Sequence, residues 1–131
     1  MTIVVGMVPT PAARAALEAA TEEAALRGSR LVVVNAVRSG AYVDADVLGD
    51  EERQAVAERL TARGVDHEIR RLDGEGDTVD QILKVAQETG ADMLVIGMRR
   101  RSPVGKFLMG SSAQRLLLDA PCPVLAVKQP R

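Results

Sequence analysis

One stretch of the chain, GMRRRSPVGKFLMGSS from Gly97 to Ser112, concentrates glycines, hydroxyls and cations. The chemistry these types offer together is anion binding. Gly97 closes an apolar run, and a residue without Cβ lets backbone approach a ligand closely. Gly110, Ser111 and Ser112 stand where a helix is expected to open. The free N–H groups of a first helical turn, the positive end of its dipole and two hydroxyls together make a phosphate seat. Arg99, Arg100, Arg101 and Lys106 add cations, and arginine can grip phosphate oxygens with two parallel hydrogen bonds. The same residues also suit a solvated basic loop ahead of an ordinary capped helix, and the local pattern does not choose between the two. A Walker A loop is excluded. In RRSPVGKF the pair Gly105-Lys106 is present, but Arg100 takes the place of the first glycine and Phe107 that of the magnesium-binding hydroxyl.

Other chemistry-bearing residues have simpler readings. His67 is the only histidine. It falls on an alternating apolar stretch and reads as a half-exposed strand residue, and no nucleophile–base arrangement can be built around it. Cys122, in APCPVL, reads as a small buried side chain; a reactive thiol would need a cationic neighbour. A lone cysteine forms no intrachain disulfide, which suits a reducing compartment. The acidic run DGEGD (73–77) lacks the length and closing glutamate of a calcium loop, so it reads as a turn ending in the N-cap Asp77. Tyr42 lies past the second strand and reads as loop packing.

The elements that must position these groups follow from hydrophobic patterning. Continuous β-branched runs at 2–8, 30–37, 91–98 and 123–128 fit strands buried on both faces of a parallel sheet. An alternating run at 65–72 fits a more exposed strand. Helical stripes lie between them, at 11–27 (Ala13, Ala16, Leu17, Ala20, Ala24), 44–63 (Val47, Leu48, Ala55, Val56, Leu60), 77–89 (Val79, Ile82, Leu83, Ala86) and 111–119 (Ala113, Leu116, Leu117). Pro11 suits a first helical turn, and Gly28, Gly64 and Gly90 suit helix stops. The order βαβαβαβαβ predicts an α/β fold, a doubly wound five-stranded parallel sheet with helices on both faces. In such sheets a ligand sits beyond the carboxyl ends of the strands, where the strand order reverses.

Length and composition set bounds. With 131 residues the chain is expected to form one domain over 1–131. Aromatics are 2%, so the core must be aliphatic and stacking platforms for single-stranded nucleic acid are scarce. A net charge of −1 argues against a nucleic-acid or membrane-surface binder. Neither a leader-like N-terminus nor an apolar run of about 18 residues is seen, so a cytoplasmic protein is expected.

The stretch DMLVIGMRRRSPVGKFLMGSSAQRLLLDAPCPVLAVK, Asp92 to Lys128, resembles the C-terminal half of a universal stress protein, and element order and length agree over essentially the whole chain. The resemblance implies a Rossmann-like, adenine nucleotide alpha hydrolase-like fold. It implies a regulator of the stress response that binds ATP, AMP or ADP, with Mg2+ accompanying the nucleotide and no turnover of its own. The family's ATP-binding loop reads glycine, two residues, glycine, nine residues, then glycine and a hydroxyl residue. Gly97, Gly110 and Ser111 match it, and Arg100 replaces the second glycine. Arg100 can clash with a phosphate, fill its place, or swing out and clamp it. Where the first strand of many members ends in a base-contacting Asp, this chain has Val8, leaving the Met7–Val8 backbone for that contact. Ala36 matches the small residue against adenine, and Ile96 lies beside the loop. The family also implies a homodimer through the last strand, 123–128, and an unknown protein partner. Two alternatives accompany this reading: a dimeric interaction module without nucleotide, and a slow ATPase or autokinase acting at Ser111 or Ser112.

Overall fold

Ile3, Val4 and Val5 are wholly buried, as are Leu31 to Val34 and the pair Leu94 and Val95. Consecutive burial requires cover on both faces of a strand, and helices supply it. The structure, a computed structural model, describes residues 1–6, 11–36, 49–72, 77–98 and 111–129. Its elements are β1 (Thr2–Gly6), α1 (Pro11–Arg27), β2 (Arg30–Ala36), α2 (Asp50–Ala62), β3 (His67–Leu72), α3 (Thr78–Glu88), β4 (Met93–Met98), α4 (Ser111–Asp119) and β5 (Val124–Lys128). The five strands form one sheet in the order β3-β2-β1-β4-β5. Every pairing is parallel, so the expected doubly wound parallel sheet is what the chain forms.

The core has two layers. Ile3, Val5, Leu31, Val33 and Val95 face α1 and α2, meeting Ala13, Ala16, Leu17, Ala20 and Leu60. Val4, Val32, Val34, Leu94 and Ile96 face the other way, meeting Val79 and Val85 of α3 and Leu116 of α4. The alanines of α1 let that helix lie close to the sheet, and all the stripe residues expected there are buried.

Three elements begin two or more residues later than the hydrophobic pattern suggests, and the helix ends explain two of them. Gly64 has φ 71°. The Gly64 N–H donates to Thr61 O and the Val65 N–H to Leu60 O at 2.9 Å, the paired bonds of a glycine-terminated helix. Val65 is thus committed to capping α2, and β3 starts at His67 rather than 65. The same bond at the end of α3, Ala91 N–H to Ala86 O at 3.0 Å, delays β4 to Met93. The third is α2, expected from residue 44. Gly49 is its N-cap in extended backbone (φ −68°, ψ 162°), and Asp50, Glu51 and Glu52 fill the first turn, where the dipole favours acids. Ala55, placed on its apolar face, is exposed. Residues 44–48 lie outside the described residues, as do 7–8 at the end of the first expected strand and Val37 at the end of the second.

Candidate functional site

The order of strands locates the crevice. The chain moves outward from β1 through β2 to β3, then crosses back over β1 to β4. The reversal leaves a gap between the carboxyl ends of β1 and β4, at Gly6 and Met98, where ligands of doubly wound sheets bind. Helices α1, α3 and α4 each follow a strand, so their N-termini come to this same edge. Ala36 ends β2 beside it, and Ser111 opens α4.

Gly97 sits one residue from the end of β4, and its missing side chain has a definite use. A Cβ there would collide with the Ala12 carbonyl group, 2.5 Å from its carbon, and would stand 3.1 Å from the Ala13 nitrogen. The backbone that comes close on this side is therefore the first turn of α1. Glycine at this position brings the N-terminus of α1 down onto the crevice. Ile96 is 5% exposed, and its side chain belongs to the core under α3 and α4. Ser112 is exposed on the first turn of α4. Met7, Val8, Arg99, Arg100, Arg101, Lys106 and Gly110 lie outside the described residues, as do Tyr42 and residues 73–76.

On the α3–α4 side the structure adds a cluster that sequence reasoning missed. Asp77 is the N-cap of α3, as expected, its Oδ1 accepting the Asp80 N–H at 2.8 Å. Its other oxygen accepts from Arg115 Nη1 of α4 at 2.8 Å, and Arg115 Nη2 donates to Asp80 Oδ1 at 2.6 Å. The Asp80 N–H first, and then Arg115, hold the Asp77 carboxyl below its ordinary range. The two aspartates raise the Arg115 guanidinium in turn. The available signal was a cap aspartate, an acid three residues on and an arginine on the next helix; the spacing between helices concealed it.

His67 falls where its plain reading puts it, while Cys122, expected to be buried, is only partly so. His67 Nδ1 lies 3.0 Å from the Val65 carbonyl oxygen, on the edge strand β3 far in sequence from the crevice loop. Cys122 is half-buried before β5, and burial followed by the nearby Asp92 charge pushes its thiol up, away from the reactive thiolate. Among the described residues no group of three or more His, Cys, Asp or Glu is placed to hold a metal, and no helix is long and apolar enough to cross a membrane.

Residues 1–128 match the model of the universal stress protein family. A universal stress protein of Mycolicibacterium smegmatis is 48% identical over 126 residues, 96% of each chain. A solved universal stress protein of Archaeoglobus fulgidus is 32% identical with a TM-score of 0.78, covering 98% of both chains. A universal stress protein from the same organism, solved in complex with dAMP, is 27% identical with a TM-score of 0.71 over 98% of both.

Proposed function

The chain belongs to the universal stress protein family, and we propose that it is an adenine-nucleotide-binding regulator, cytoplasmic and dimeric, that acts by binding rather than by turnover. The observation that carries this is the crevice between β1 and β4, with the N-termini of α1 and α4 brought to one edge. A relative of the same fold holds dAMP. In this reading the N–H groups at Ser111 and Ser112, with Gly110 and Gly97, receive phosphate. Arg99, Arg100, Arg101 and Lys106 balance its charge. Ala36, Ile96 and the Met7–Val8 backbone border the base. Magnesium, where ATP is the ligand, rides on the phosphates. The second copy pairs through the free edge of β5.

Calorimetric titration of AMP, and of ATP with magnesium, into wild-type protein and Arg100→Gly tests the reading. Micromolar uptake by the wild type is expected, weakened in Arg100→Gly as a phosphate clamp is lost. An inert wild type that binds once Arg100 is glycine would show the arginine filling its own anion site. The protein would then be an interaction module.

A further inference from the structure

We propose that Arg115 is the positioning residue of the phosphate seat: it latches α4 to the N-cap of α3 and thereby sets where the N-terminus of α4 stands. This rests on the nucleotide reading above and assigns it a residue outside the loop motif.

The argument starts from the helix itself. Helix α4 has nine residues, Ser111–Asp119, too few to be stable or oriented without tertiary contacts. Its apolar anchor is Leu116, buried, with Ala113 and Leu117 packed beside it. Leu118 is 74% exposed. Apolar contacts of this kind are non-directional; they hold α4 to the sheet and supply no directional bond to α3. A planar guanidinium bound through both terminal nitrogens adds that directional tie. Arg115 stands one turn after Ser111, and its fork closes on two carboxylates of another helix at 2.8 and 2.6 Å. Asp77 is divided between the two helices, one oxygen capping α3 and the other holding Arg115. The latch therefore ties together the points at which the chain enters α3 and α4, both at the crevice edge. With a carboxylate on each nitrogen, Arg115 brings no net positive charge to the seat, so its contribution is placement.

The test uses wild type, Arg115→Gln, Arg115→Lys, Asp80→Asn and the Arg115→Gln/Asp80→Asn double variant. Hydrogen exchange of the ligand-free proteins reads the latch directly. In Arg115→Gln the hydrogen-bonded amides of 115–120 should exchange about three- to tenfold faster, with β1 and β4 unchanged. Titration with AMP and with adenosine reads the seat. AMP affinity should fall about three- to tenfold while adenosine affinity stays, because only the phosphate meets α4. Arg115→Lys should recover part of the loss, and the double variant should be no worse than Arg115→Gln alone. Wild-type exchange rates across α4 in Arg115→Gln would overturn the latch, and so would equal weakening of AMP and adenosine. Wild-type protein that takes up neither ligand would overturn the nucleotide reading instead, and the exchange rates alone would then decide whether Arg115 holds α4.

Discussion

Gly97 shows how one residue can carry a motif for two reasons. In a nucleotide-binding loop a glycine is usually read as making room for phosphate. Here the room on its Cβ side is filled by Ala12 and Ala13 of α1. An alanine at this position would have to push back a helix backbone rather than a movable side chain. Overpacking of this kind costs about 1–3 kcal/mol, and a backbone collision belongs at the upper end. Gly97→Ala should therefore lower the denaturant midpoint of the ligand-free protein, measured by circular dichroism with no nucleotide present. A wild-type midpoint would mean that α1 yields easily and that the glycine is needed only by a ligand.

At the scale of elements, the α3–α4 contact makes stability depend on acid. The Asp77 carboxyl is held below its ordinary value of 3.8 by the Asp80 N–H and by Arg115. A depressed carboxyl favours the folded state while it is ionised, and that advantage disappears as pH falls through the folded value. Asp77→Asn keeps a good N-cap but removes the charge facing Arg115. Its melting temperature should lie below wild type at pH 6, and the gap should close as pH drops below about 4. A gap that persists at low pH would assign the effect to the cap geometry instead. Salt should narrow the gap as well, since the pair is solvent-exposed and screened. This contact also marks how far the sequence could be read. The parallel strands were legible because burial on both faces leaves runs such as LVVV (31–34), and the helix ends because glycine at positive φ has few other uses. The alanine stripe of α1 and the cap at Asp77 were legible as local patterns. The starts of β3 and β4 were not, because Val65 and Ala91 are apolar yet spend their N–H groups on helix ends. Arg115 escaped because its partners lie 38 and 35 residues away, and no periodicity spans that distance. The use of Gly97 by α1 escaped for the same reason.

For the whole molecule the open question is the edge of the sheet. Among the described residues β5 is terminal in the strand order, and a sheet edge with no neighbouring strand is a template for another chain. Its hydrogen bonds show which residues face outward. The Leu94 N–H donates to Pro123 O at 2.9 Å, and the Gln129 N–H donates to Met98 O at 2.8 Å. Backbone groups alternate along a strand, so residues in phase with 123 and 129 point to β4, while Val124, Ala126 and Lys128 point to the free edge. Ala126 is exposed. Proline there removes an outward N–H and leaves the ladder to β4 intact, the placement that edge strands tolerate. If two copies pair through β5, Ala126→Pro removes symmetric bonds from both. The dimer dissociation constant should then rise about tenfold or more, with the monomer fold retained by circular dichroism. Sedimentation equilibrium of wild type and variant reads this directly. A wild-type monomer, or a variant that dimerises as well as wild type, would place the contact elsewhere or dispense with it. The outcome also bears on the crevice. Met98, the last residue of β4, is bonded to Gln129 just beyond β5, so a partner seated on that edge would brace the strand that leads into residues 99–110.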